Sequence, residues 1–118
     1  MSCPQFVATS LALRTATHLA HLSSRSYAEH VALGDFYDGL VPLVDTYAEL
    51  YMGLTQRIKS WPKAELPDDE PVQMLREYLA EHVRPELEDD HGSEAMKNTL
   101  AEIEALTLRT IYKLVNLK

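Results

Sequence analysis

Apolar residues recur along this chain at intervals of three and four, and strand-like alternation is absent, so helices are expected almost throughout. The first is expected from Pro4 or Gln5 to Leu22, with Pro4 suited to the first turn and Phe6, Leu11, Leu13, Leu19 and Leu22 giving apolar surface. Ser23-Ser24-Arg25-Ser26 reads as a turn. A second helix opens at Ser26, because Ser26-Tyr27-Ala28-Glu29 has the spacing of a capping box. It continues to about Ile58, and Val31, Leu33, Phe36, Tyr37, Leu40, Val44, Ala48, Tyr51 and Leu54 form a broad apolar face. Pro42 lacks a backbone donor and is expected to kink or break this helix, while Gly34, Gly39 and Gly53 lower its propensity.

The run from Ser60 to Pro71 reads as a connector, with Pro62, Pro67, Pro71 and the acidic Asp68-Asp69-Glu70, and Trp61-Pro62 is expected to plug it onto the helices. The third helix takes Asp68 or Asp69 as its cap and Pro71 in its first turn, and runs to about Arg84, where Pro85 stops or bends it. Val72, Leu75, Leu79 and Val83 make its stripe. Glu86 to Gly92 reads as a charged loop. Ser93 then caps a last helix reaching about Leu117, along which Met96, Leu100, Ile103, Leu106, Ile111 and Leu114 recur at helical spacing. The expected fold is therefore all-α: one four-helix bundle domain over residues 1–118, up-down-up-down if its links are short, or with a crossover through the 60–71 connector.

Eighteen acidic residues against 11 basic ones give a formal net charge of −7, which speaks against DNA as a main partner and suits attraction of cations. The lone Cys3 has no internal disulfide partner, so a reducing compartment is expected. The N-terminus has no basic, then apolar, leader pattern, and no run approaches the ~20 apolar residues that span a bilayer, so the expected address is cytoplasmic, with no membrane partner.

The candidate chemistry lies in the first half. His18 and His30 fall six residues either side of Ser24, so their imidazoles are expected to face each other at one level of a helical hairpin. Asp45 and Glu49 are four apart and share a helix face. Asp45 nevertheless follows His30 by 15 residues, roughly 22 Å along a helix. No single ion spans that within one chain, whereas two copies with antiparallel second helices bring the histidines of one to the carboxylates of the other. Asp38, Asp45 and Glu49 lie about 80°, 60° and 100° from His30 around the axis, so one side of the helix carries an imidazole and three carboxylates. Histidine and carboxylate without thiolate suits iron, manganese or zinc. The competing reading is a solvated face of an acidic protein.

Other residues carry less. His21 shares the face of His18 but reads nearer to Tyr27 than to His30 in the hairpin, in a polar interface role. His82 reads as structural near a helix end, and His91 with Asp89 and Asp90 as a solvated loop. Tyr27, Tyr37, Tyr47 and Tyr51 read as packing residues with a polar handle.

The string His18-x11-His30-x14-Asp45-x3-Glu49, with Tyr37-Asp38 inside it and Ala48-Glu49 at its end, resembles the Dps family of ferritin-like proteins over roughly positions 10 to 54. The resemblance implies a ferritin-like bundle. It also implies a ferroxidase centre at a two-fold interface, where His18 and His30 of one subunit meet Asp45 and Glu49 of its mate. The family's acid four residues after its second histidine is Gly34 here, and Asp38, one turn on, is the substitute on that face. Leu19 stands where the family often has Trp, and the basic DNA-binding tail is absent. Within the family the chain looks closest to small members encoded by bacteriophages, which places it in the host cytoplasm or a virion.

The leading expectation is thus an iron-binding homodimer formed through the first two helices. The resemblance extends this to larger assemblies of up to twelve subunits. It binds Fe(II), with Mn(II) or Zn(II) as other occupants, through His18, His30, Asp45, Glu49 and Asp38, and as a ferroxidase it oxidises Fe(II) to Fe(III) with peroxide or oxygen. The alternative is a non-catalytic assembly or virion-associated module with a site degraded at Gly34.

Overall fold

A computed structural model describes residues 2–89 and 93–117. Among them there is no strand, and the chain forms four helical limbs. The first limb is α1 (Cys3–Ser23), and the second is α2 (Tyr27–Leu54). The third joins α3 (Pro71–Tyr78), a π-helical turn (Leu79–Val83) and α4 (Arg84–Glu88) into one rod, and the fourth is α5 (Glu94–Asn116). No described helix is long and apolar enough to cross a membrane.

The helix starts follow from local chemistry. The hydroxyl oxygens of Ser2, Ser26 and Ser93 accept from the backbone N–H groups of Gln5, Glu29 and Met96, satisfying donors that the first turn leaves orphaned. The third limb differs from expectation at its cap: Glu70, not Asp68 or Asp69, is the N-cap and makes no side-chain cap bond. Pro71 at the first helical position presets the backbone there.

Neither of the two prolines expected to kink, bend or stop a helix ends one. The α2 helix runs through Pro42 to Leu54, four residues short of the expected end. Pro42 is exposed, as is Asp38, so the backbone carbonyl one turn back that loses its donor faces the wet side. Helix also continues past Arg84 through Pro85 to Glu88. Pro85 cannot donate to the carbonyl of Glu81 and would collide with it in a regular α-helix. The chain instead widens into the π-helical turn just before Pro85, and the rod goes on.

The limbs form a bundle around Phe6, Leu33, Phe36, Leu40, Val44, Tyr47, Leu75, Val83, Leu100 and Ile103, all fully buried. Leu11, Leu19, Leu22, Val31 and Leu54 lie outside it, exposed on α1 and α2. The connector from 55 to 70 is a crossover. Residues 55–59 share a cleft with Pro4, Trp61 lies beside Ala8 and Leu11, and Leu66 to Asp69 lie beside Ala16, Leu19, Ala20 and Ser23. The connector therefore climbs α1 from its start to its end, half-covering it with Trp61. The third limb then runs back down α1, parallel to α2, placing Tyr78 on Ser10 and Glu86 near the start of α1. The α5 helix lies antiparallel to α2: Leu106 packs at Gly39, and Lys113 reaches Asp35 at 4.0 Å. The long axis of 44 Å is set by the 28-residue α2, about 42 Å long at 1.5 Å per residue.

Candidate functional site

The α1–α2 hairpin turns at Ser24, Arg25 and Ser26, so its pivot is Arg25. Side chains on a helix lean towards its N-terminus. His21 on the ascending helix leans away from the turn, and His30 on the descending helix leans towards it. The two meet, with ring centroids 3.7 Å apart and planes within 17°. Each ring is pinned by the other's backbone: His21 Nδ1 donates to the His30 carbonyl at 2.5 Å, and His30 Nδ1 donates to the His21 carbonyl at 2.8 Å. With Nδ1 donating, Nε2 of each neutral ring holds the lone pair that a metal ion uses. Because the rings are stacked, the two lone pairs lie in separate, nearly parallel planes and do not converge on one ion.

The expected pairing of His18 with His30 is therefore corrected, as is that of His21 with Tyr27. His18 stacks on Tyr37 at 4.3 Å, and the guanidinium of Arg14 lies 5.5 Å over the same tyrosine ring. His21 lies between the other two histidines, 6.1 Å from His18. Gly34 makes room for it: a Cβ at that position would stand 3.0 Å from His21 Cε1. The missing side chain at 34 thus has a steric role in the hairpin.

Asp38, Asp45 and Glu49 are all exposed, and Asp35 extends their stripe along the outer face of α2. In a single copy these carboxylates form a solvated face, the competing reading of the sequence. His30 and Tyr37 face α1, and the acids stand about 80° further round the helix, in water. Among the described residues no three His, Cys, Asp or Glu side chains come together closely enough to hold an ion. One copy of the chain presents the His30 imidazole on one face of α2 and carboxylates on the next, and does not join them.

A second polar cluster lies in the core, at the other end of the bundle. Glu86, expected in a charged loop, is helical and 0 % exposed, and its Oε2 accepts from the hydroxyl of Tyr47 at 2.5 Å. Phe6 packs edge-on to Tyr47 and stacks with Tyr78, whose hydroxyl pairs with Ser10 Oγ at 2.7 Å. Burial, then the Glu86 carboxylate, push the Cys3 thiol up to about 12, so it is a protonated, unreactive group at neutral pH. Burial likewise raises Tyr47, with the Glu86 hydrogen bond adding to it, and raises Tyr78 against the opposing Ser10 bond. His82 sits in the π-helical turn and not at a helix end; burial lowers its pKa while Glu81 and Glu77 oppose the shift. Its Nδ1 is buried with no hydrogen-bond partner among the described residues. His91 and Asp90 lie outside the described residues.

A family profile described as a family of unknown function, DUF5856, matches residues 21–114. No curated protein and no solved structure matches. The expected Dps membership is overturned by this result, because the family that fits most of the chain is one of unknown function and no Dps or ferritin-like family is identified. The His18–Glu49 string rests on four residues of types common on any acidic helix pair, and it does not mark descent. The chain belongs to the family of unknown function.

Proposed function

We propose, for a chain whose family has no assigned activity, that it is a metal-binding helical bundle whose ion site is completed only by a second copy. The observation that carries this is the split on α2: the half-buried imidazole of His30, with Nδ1 engaged and Nε2 available, on one face, and exposed carboxylates on the adjoining face. Pairing α2 antiparallel with its copy about an axis near residue 38 sets His30 of one copy level with residues 45–49 of the other. His18 is held by stacking on Tyr37, and its ring reaches the same ion once His21 swings out of the gap between them. The donor set is imidazole and carboxylate oxygen, which suits Fe(II), Mn(II) or Zn(II). Asp38 of each copy falls beside the axis, where two like charges repel. The ion-free dimer is therefore disfavoured, and the ion acts as the link. The single long crossover is the topology that ferritin-like bundles use, and it supports a ferritin-like arrangement at the level of fold alone.

The test is anaerobic calorimetry with Fe(II), Mn(II) and Zn(II) beside sedimentation equilibrium. The reading expects one ion per chain, with monomers in chelator becoming dimers in metal, and loss of both effects in His30→Ala. If the ion is iron and the site is active, peroxide develops ferric absorbance that His30→Ala abolishes. A second reading has its own support in the reciprocal His21–His30 hydrogen bonds, which give both rings a structural task as a clasp at the hairpin end. On that reading the chain is a non-catalytic assembly module. It predicts no stoichiometric metal binding and a loss of stability in His30→Ala.

A further inference from the structure

An open cleft lies at the end of the bundle remote from His18, His21 and His30, where the start of α1, the end of α2 and the first turn of the crossover meet. It encloses about 560 Å³ and is lined by Pro4, Tyr51 and residues 55 to 59, a size within the ~300–1,000 Å³ of small-molecule sites. Its charged side chains are of one sign. Arg57 and Lys59 bring two cations, Gln56 a carboxamide and Thr55 a hydroxyl, and no carboxylate lines it. Ile58 is half-buried between the exposed Arg57 and Lys59, so the two cations share a side of the chain. Neither makes an ion pair with a described residue. Two adjacent unpaired cations on a chain of net charge −7 are a local reversal of sign, and such a cleft concentrates anions.

The geometry points to this cleft as a binding site for a small phosphate-bearing molecule. Arg57 offers planar paired donors that match a phosphate edge, and Lys59 adds a point charge beside it. Gln56 contributes a further N–H donor. The half-buried ring of Tyr51 gives the non-phosphate part of the ligand an apolar wall. The competing role for the two cations is to sit near the carbonyl end of α2, which has no basic residue in its last turn. That role needs charge but no ligand.

Inorganic pyrophosphate and a nucleoside monophosphate are the probes, titrated in turn into ¹⁵N-labelled full-length protein at low salt. The expected result is saturable amide shifts confined to residues 51–59 and the start of α1, with a Kd on the order of 1 mM or tighter. Sodium chloride at matched ionic strength should not reproduce these shifts. Arg57→Ala and Lys59→Ala should each weaken binding about tenfold, the loss expected for a charged hydrogen bond. Arg57→Lys should retain part of it. Shifts that fail to saturate, that chloride reproduces, or that survive in the double alanine variant would overturn the site. A melting-temperature loss in the double variant without any phosphate binding in the wild type would assign the cations to the end of α2 instead.

Discussion

Gly34 faces His21 across the hairpin, and its missing Cβ is what lets the His21 ring lie flat on His30. Gly34→Ala removes the flexibility penalty of a mid-helix glycine, about 1 kcal/mol, and drives a methyl group into a half-buried ring that can rotate away. The expected outcome is stability within ~1 kcal/mol of wild type. The ring-current shift that His30 imposes on His21 protons should disappear, as read by NMR. An unchanged shift would mean the clasp does not depend on the space at 34. Cys3 gives a second residue-scale prediction, through pH. Its folded pKa of about 12 lies above the ordinary 9.0, so the folded state holds the thiol proton more tightly than the unfolded chain does. That stability is complete below 9.0 and drains away as pH rises towards 12, with Tyr47 and Tyr78 adding loss in the same direction at higher pH. Denaturant midpoints should therefore fall across this window, and Cys3→Ala should delay the onset; a flat profile in the wild type would contradict the buried environment. The histidines themselves were visible in the sequence, but their pairing was not. Counting from Ser24 instead of Arg25 moves every facing level, and side-chain lean then decides whether His18 or His21 meets His30.

The starts of α2 and α5 were legible from their hydroxyl caps, whereas the Ser2 cap of α1 was not read. Ser26 and Ser93 were both read from spacing alone, and both accept the expected backbone donors. The third limb was misread for a physical reason. Pro85 signals a stop only when the helix before it stays α-helical, and the π-helical turn at Leu79–Val83 removes that conflict. With the helix extended, Glu86 enters the core, where sequence polarity argues it does not belong and where the Tyr47 hydroxyl across the bundle donates to it. The caps also make a prediction at this scale. Ser93→Ala should cost about 1 kcal/mol, while Glu70→Ser, which supplies the missing hydroxyl acceptor at the third limb, should gain ~0.5–1 kcal/mol. Chemical denaturation of the two variants checks the pair. Equal, small effects would show that tertiary packing and not capping fixes these starts.

For the whole molecule, the all-helical class and the four limbs follow from hydrophobic period, and the crossover from a connector too proline-rich to be helix and long enough to travel the length of α1. Assembly is invisible at this level, because one copy shows only that the His30 imidazole and the carboxylates of α2 face different ways. Two copies sharing ions in trans carry a signature that no single-chain site has. His30→Ala breaks the imidazole half of each site, and Asp45→Asn breaks the carboxylate half. A mixed dimer of the two variants keeps one site in which both halves are intact. The decisive measurement is the metal stoichiometry of a refolded equimolar mixture of His30→Ala and Asp45→Asn chains, set beside each variant alone. The account predicts negligible binding by either variant and recovery in the mixture, with each mixed dimer holding one ion where a wild-type dimer holds two. A wild-type chain that binds metal while the mixture stays as empty as its parents would contradict it, as would a wild-type chain that binds none.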